Sequence, residues 1–247
     1  MNEFDRDLDI AQHRWMTGDT AGAIDALRMV LSQAPEHAYA HALLAGCLLE
    51  SRRIHAALHE VELALGLEPD LFMARYLYAQ VLVAHRRFAE ATEALGQLIA
   101  EHPTAPELYR AVSDLVTARG EGGSEECRVL LKKALELEPD SPATLADCAQ
   151  FHLHRGELDD ARLMAGRALE ASPEHLQALW IMGEVLLLQG QADEAREHVA
   201  WVLSKNAEHR GALFLLAKLK ARRSPLMGPW WRFISWVGIG GDQTASG

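Results

Sequence analysis

Ser32-Gln33-Ala34-Pro35 closes a helical run, and the ending returns four times along the 247-residue chain. The later copies are Gly66-Leu67-Glu68-Pro69, Ala100-Glu101-His102-Pro103, Glu136-Leu137-Glu138-Pro139 and Glu170-Ala171-Ser172-Pro173. Successive prolines are 34, 34, 36 and 34 residues apart, and one more step of 34 lands on Ala207. A fixed period of this length is the signature of a helical repeat array. The one long interval contains Gly120-Glu121-Gly122-Gly123-Ser124, which is expected to lengthen a turn.

Small or branched residues recur at fixed depth before each proline. Twelve before it stand Ala23, Ala57, Ala91, Cys127 and Ala161, with Ala195 in the sixth copy. Five before it stand Val30, Ala64, Leu98, Ala134, Ala168 and Val202; twenty-four before it stand Ala11, Ala45, Ala79, Ala149 and Gly183, with Ser113 in the lengthened copy. Small side chains let two helix backbones approach, and the surrounding Leu, Ile and Val fill the space. Each unit therefore reads as two helices. Between them comes turn chemistry: Gly18-Asp19, Gly120, Gly156-Glu157 and Gly190-Gln191. Glycine allows the left-handed backbone that ends a helix. Arg52-Arg53 and Arg86-Arg87 replace it in two copies and predict a weaker stop. Each proline ends the second helix, having no amide hydrogen to donate. Ser141-Pro142 and Ser172-Pro173 read as a cap followed by a first-turn proline.

These six units in register resemble the tetratricopeptide repeat family, and in particular bacterial members with an apolar C-terminal tail. The resemblance covers about residues 4–207. Arg14, where the family prefers an aromatic residue, and Ala207, in place of proline, depart from its pattern. It implies an all-α, right-handed superhelical solenoid of six helix pairs over residues 1–223, with repeats at about 4–37, 38–71, 72–105, 106–141, 142–175 and 176–209. A capping helix is expected at 209–222, followed by an apolar tail over 224–247. Units of this kind cannot bury their apolar faces alone and are stabilised by their neighbours.

Bulk composition narrows the partners. Apolar residues make up 49% and charged residues 24%, an ordinary soluble balance. The formal net charge of −11 argues against nucleic acid, whose phosphates need a basic patch. Three distant cysteines, Cys47, Cys127 and Cys148, predict reduced thiols in a cytoplasmic protein and no disulfide framework. Glu3, Asp5, Asp7 and Asp9 at the N-terminus are unlike a secretory signal.

Nothing in the chain assembles a catalytic or metal centre, and no cofactor is expected. His37 and His41, like His55 and His59, are four apart on one predicted face, but a zinc site needs three or four ligands. Cys127 occupies a small-residue slot, and Cys47 and Cys148 fall on apolar faces, so all three read as small hydrophobes. The glycine-rich 120–124 stretch lacks the strand and lysine of a phosphate-binding loop. Asp159-Asp160 reads as solvated charge at a helix start.

In the family resembled, first helices line a concave groove that receives peptides or helices. Carried over position by position, the groove candidates are Tyr39, Met73, Tyr76, Gln80, Arg110, Asp114, Gln150, Trp180, Glu184 and Phe214. No lysine–asparagine pair of the kind that clamps a C-terminal carboxylate is present. Aromatic anchors with scattered acids suit an apolar segment with basic flanks. The competing reading is that Tyr76 and Trp180 stack between repeats. Glu60, on a second helix, is expected to face outward.

After Arg223 the composition turns to SPLMGPWWRFISWVGIGG, with Trp230, Trp231 and Trp236 inside seven residues. On a helix, Trp230, Phe233, Ile234 and Val237 would form one stripe. Tryptophan with basic residues upstream suits a membrane–water interface, and about 20 apolar residues are needed to span. Three fates stay open for Trp230, Trp231, Phe233, Ile234 and Trp236: the cytoplasmic face of an inner membrane, the chain's own solenoid, or another copy in a homo-oligomer. The functional expectation is a non-catalytic adaptor or assembly scaffold; the alternative is a soluble regulatory or self-associating subunit.

Overall fold

The computed structural model describes residues 3–207 and 209–223; the Trp230–Trp236 cluster expected to make a membrane or oligomer contact lies outside the described residues. Thirteen α-helices, and no strand, are found among the described residues. They are α1 (Glu3–Met16), α2 (Thr20–Gln33), α3 (Ala38–Glu50), α4 (Ile54–Leu67), α5 (Phe72–Ala84), α6 (Phe88–Glu101), α7 (Pro106–Ala118), α8 (Glu125–Leu137), α9 (Pro142–Arg155), α10 (Leu158–Ala171), α11 (Leu176–Leu188), α12 (Ala192–Lys205) and α13 (Arg210–Arg223). The chain forms two compact units, Met1–Asp147 and Cys148–Gly247, with the division falling inside α9.

Helix ends follow one rule per turn type. Odd-numbered helices close with a six-to-one hydrogen bond: Asp19 N–H to Arg14 O, Arg53 to Leu48, Arg87 to Leu82, Glu121 to Val116, Glu157 to His152 and Gln191 to Leu186, all at 2.8–3.0 Å. The residue before each donor has positive φ. At Gly18, Gly120, Gly156 and Gly190 that is free of Cβ strain, but Arg52 (φ 59°) and Arg86 (φ 61°) adopt the same conformation. The arginine turns are therefore the same stop as the glycine turns, held against an unfavourable local preference. The extra residues of the fourth unit lie in the turn between α7 and α8, as their glycine content predicts.

Even-numbered helices end two residues before each proline. The C-cap N–H reaches back to the small slot, as in Glu68 to Ala64 O and Ser172 to Ala168 O, both 2.9 Å. Asn206 makes the same bond to Val202 at 2.8 Å with Ala207 in the proline's place, so proline reinforces this stop without being needed for it. Ser141 caps α9 ahead of Pro142, with the Thr144 N–H at 3.5 Å from Ser141 Oγ. Ser172 does not start a helix: it is the C-cap of α10, and α11 begins only at Leu176. The cap there is His175, whose Nδ1 accepts from the Ala178 N–H at 3.3 Å. His37 caps α3 in the same way at 3.1 Å, and His209 caps α13 at 3.1 Å. An imidazole can accept only through an unprotonated nitrogen.

Packing runs through the small slots. Ala23, Ala57, Ala91, Cys127, Ala161 and Ala195 are all at most 1% exposed. Ala64 sits in a cluster with Ala42, Ala45, Val61, Ala74 and Leu77, which joins α3, α4 and α5. Within Met1–Asp147 every helix from α1 to α8 packs on the next, and α1, α3, α5 and α7 also touch one another in order. Within Cys148–Gly247 the same holds for α10 to α13, with α11 touching α13. Consecutive even-numbered helices make no comparable contact among the described residues. In Met1–Asp147 the odd helices α1, α3, α5 and α7 thus form a continuous layer with the even helices apart from one another behind it, and in Cys148–Gly247 α11 and α13 pair in the same way.

Three outcomes follow from this packing and capping. Ala64→Trp and Ala168→Trp should each overpack a fully buried contact and lose about 1–3 kcal/mol or more in urea unfolding, because a filled core has no room for the ring. Arg52→Gly and Arg86→Gly should each gain about 0.5–1 kcal/mol in the same assay, since relief of left-handed strain outweighs the entropy that glycine adds to the unfolded chain. Burial holds the His209 imidazole below its ordinary 6.5, with its own backbone hydrogen bond opposing. A depressed histidine favours the folded state fully above its unfolded pKa, and this contribution is lost as pH falls through about 6.5 and below. Protection factors in α13, taken relative to the intrinsic exchange rate at each pH, should fall between pH 7.5 and 5, and His209→Asn, which caps without titrating, should remove the His209 share of that fall.

Candidate functional site

The odd-helix layer of Met1–Asp147 carries six of the side chains singled out in the sequence. Tyr39 lies on α3, Met73, Tyr76 and Gln80 on α5, and Arg110 and Asp114 on α7. All but Asp114 are half-buried, and Asp114 is exposed. Tyr39 packs on the first core cluster, with its hydroxyl 3.5 Å from Gln12 Oε1. The Tyr76 ring stacks on Phe72, with centroids 6.2 Å apart, and its hydroxyl accepts from Gln80 Nε2 at 2.9 Å. Burial pushes the Tyr76 phenol up to about 12, so it stays protonated.

Beside this aromatic step lies a charged group. Arg110 Nε donates to Asp147 Oδ2 at 2.6 Å, linking α7 to the first turns of α9. Both side chains are largely shielded, at 25% and 9% exposure, so this bond is screened less than a surface pair. Burial alone would lower the Arg110 guanidinium, but Asp147 outweighs it and the net shift is upward. Asp114, one turn along from Arg110, makes no hydrogen bond or ion pair among the described residues. Water reaches its carboxyl, yet surrounding protein displaces much of its hydration. That crowding, then the charge of Asp147, raises Asp114 above the ordinary carboxylate range against the opposing pull of Arg110. Asp147 was not among the sequence candidates; its only signal was an acid on one odd helix and a base on the preceding one.

The Cys148–Gly247 unit holds the other four candidates. Gln150, on α9, pairs with His154 on the same helix, with Nε2 3.1 Å from His154 Nε2. Trp180, on α11, is an inter-helix packing element. Its ring lies against Gly211 of α13, where an added Cβ would fall 2.5 Å from Nε1, and it tilts on His209 with centroids 6.0 Å apart. The indole Nε1 is buried without a hydrogen-bond partner. The same relation recurs in the other unit, where the Trp15 ring occupies the space that a Cβ on Gly46 would need. Each tryptophan therefore covers a glycine thirty-one residues later in the next odd helix. Glu184 is engaged by Lys218, with Nζ 3.5 Å from Oε1, and the same Nζ stands 4.3 Å from the Phe214 ring centroid. Phe214 is 57% exposed and stands at the open side of α13.

The remaining chemistry-bearing residues are structural. His41 bridges Glu60 (Nδ1 to Oε2, 2.7 Å) and Pro35 O (Nε2, 2.9 Å), so Glu60 turns toward α3 and not outward as its helix position suggested. Cys47, Cys127 and Cys148 are buried, and burial with the nearby Glu50 pushes the Cys47 thiol up to about 12. A His152, Glu157 and Asp160 trio has ligand atoms within 4.8 Å of one another. Glu157 already accepts from Arg155 Nε at 2.6 Å and meets His152 Nδ1 at 2.7 Å, which makes the trio an ion-paired junction between α9 and α10. No described helix is long and apolar enough to cross a membrane.

Known proteins agree with this architecture. Residues 16–98 match the family described as anaphase-promoting complex, cyclosome, subunit 3, and residues 125–179 match the tetratricopeptide repeat family. No curated protein matches the chain. A thermophilic tetratricopeptide-repeat protein of Thermus thermophilus is similar at 23% identity over 74% of this chain and 97% of its own, with a TM-score of 0.63. One from Parabacteroides merdae is similar at 14% identity over 87% of this chain and 83% of its own, with a TM-score of 0.69. The structure of an APC/C hetero-tetramer, Cut9-Hcn1, contains a chain similar at 14% identity, covering 87% of this chain and 42% of that one, at a TM-score of 0.65. With its repeat in register from the first helix pair to the sixth, this chain belongs to the tetratricopeptide-repeat family.

Proposed function

We propose that this protein is a non-catalytic adaptor that holds a segment of another protein against the odd-helix layer of its Met1–Asp147 unit. One observation carries the reading: Tyr39, Met73, Tyr76, Gln80, Arg110 and Asp114 share a layer of touching helices and stay partly open to water. The aromatic rings supply contact area at little entropic cost, and the charged side chains supply orientation. An apolar segment with basic flanks matches this mixture. The solved hetero-tetramer containing Cut9 and Hcn1 is consistent with such a role for the fold. The buried thiols, and a His41 imidazole held between Glu60 and Pro35 O, fit a scaffold better than a reaction centre.

The second unit contributes differently in this reading. Trp180 is spent on packing and Glu184 on Lys218, which leaves exposed Phe214 as its anchor. The Trp230, Trp231 and Trp236 cluster, preceded by Lys218, Lys220, Arg222 and Arg223, has the composition of an interfacial membrane contact.

Site-specific photo-crosslinking in the native cell tests the proposal. A benzophenone side chain at Met73 or Gln80 should capture the same partner protein, and one at Met29, exposed on α2, should not. Tyr76→Ala should weaken capture at Met73 by about tenfold or more, the loss expected of a truncated aromatic anchor, without altering helical content. Equal capture at Met29, or undiminished capture in Tyr76→Ala, contradicts the proposal.

A further inference from the structure

The Met1–Asp147 layer gathers two carboxylates, Asp114 and Asp147, around one guanidinium, Arg110. The geometry assigns the single cation to Asp147. Arg110 donates through Nε at 2.6 Å, and Asp147 is the more shielded acid. Asp114 is left exposed on the same helix as Arg110 with no hydrogen bond or ion pair among the described residues. On the preceding odd helix Tyr76, an aromatic whose hydroxyl is occupied by Gln80, lies within electrostatic reach of both Asp114 and Arg110. This juxtaposition of an unmatched carboxylate and an aromatic wall, at the edge of a pair that has used up the local positive charge, contrasts with the second unit. There Lys218 already pairs with Glu184 and stands over one face of the otherwise exposed Phe214 ring. One layer supplies its own cation to its acid and ring; the other lacks one.

We propose that the Asp114–Tyr76 position is a subsite for a single lysine or arginine side chain of the bound protein segment, its cation completing the charge balance at Asp114 with its stem along the Tyr76 ring. This rests on the adaptor reading above and specifies one contact within it. The partner is a basic-flanked polypeptide and not a free metal ion, because Asp114 is the only unpaired carboxylate of the three-residue group and a divalent ion needs several oxygen ligands. A long basic side chain needs only one carboxylate, and its methylenes gain from the neighbouring aromatic surface. The overall excess of acid, a net charge of −11, also favours the approach of a cationic segment.

The test uses the full chain and a random peptide library displayed on phage. Peptides recovered on the parent protein should be enriched in lysine or arginine beside apolar residues. A synthetic copy of a recovered peptide should bind Asp114→Asn about tenfold more weakly, an effect that shrinks as salt rises. Glu93→Gln, an exposed acid on α6, should leave binding unchanged. Replacing the peptide's basic residue by glutamine should cause the same loss on the parent chain and no further loss on Asp114→Asn. Because the peptide is altered in that arm, the loss read on the parent chain does not depend on the stability of any protein variant. Recovered peptides that crosslink at Gln80 but show no basic preference, or that bind Asp114→Asn as well as the parent, overturn the subsite and leave the adaptor reading standing. Peptides that crosslink only at Met29 overturn both. Stoichiometric binding of calcium alone to the parent chain, lost in Asp114→Asn, also overturns the subsite, because it assigns the carboxylate to a metal.

Discussion

The structure depends on close approach between helix backbones at positions where the side chain is nearly absent. Ala23, Ala57, Ala91, Cys127, Ala161 and Ala195 recur once per unit and are sealed from solvent in every unit. A residue of that size lets a second helix sit near enough for the flanking leucines and valines to interlock. A larger one would separate the pair and open voids on either side. Because each helix meets mainly its neighbours in sequence, the constraint is local and repeats. The turns serve the same end. Arg52 and Arg86 accept left-handed backbone so that their even helices start where the glycine turns would start them. The six-to-one bonds keep one geometry across six different sequences.

This explains what could be read from the sequence. Period, helix ends and small slots are backbone-level demands, and each leaves a residue type at a fixed spacing. The repeat was therefore legible even where a copy lacked its glycine or its proline. The capping histidines were not. His37, His175 and His209 carry no label distinguishing a cap from a ligand or a solvated ring, and only the loop geometry after each even helix assigns the role. Ser172 was misleading for the same reason: a serine before a proline can end one helix as readily as begin another, and here three further residues of turn intervene before α11.

Side-chain partnerships across units were the least legible part. Tyr76 and Trp180 occupy equivalent places three residues before their small slots, yet one presents a partly open ring and the other lies over a glycine. The difference comes from the next odd helix, where Gly211 leaves a space that the indole fills. Pairing of a tryptophan with a glycine thirty-one residues on, seen at both Trp15–Gly46 and Trp180–Gly211, is the signal that could have separated the two cases. The charges follow similar logic. Asp114 and Glu184 look alike as acids on odd helices, but Lys218 answers Glu184 and the Arg110 bond goes to Asp147. On the proposed reading, binding capacity is what remains after the repeats have satisfied one another, and the Met1–Asp147 layer has more side chains left in that state.

Hydroxyl-radical footprinting of the chain, alone and in complex with the protein captured from its native cell, tests this account most directly. Met73 and Tyr76 on α5 lie on the odd-helix layer, and Met29 and Leu63 are exposed on even helices. The account predicts that complex formation slows oxidation at Met73 and Tyr76 severalfold while Met29 and Leu63 keep their rates. Protection confined to Met29 and Leu63, with Met73 and Tyr76 as reactive as in the free chain, would contradict it.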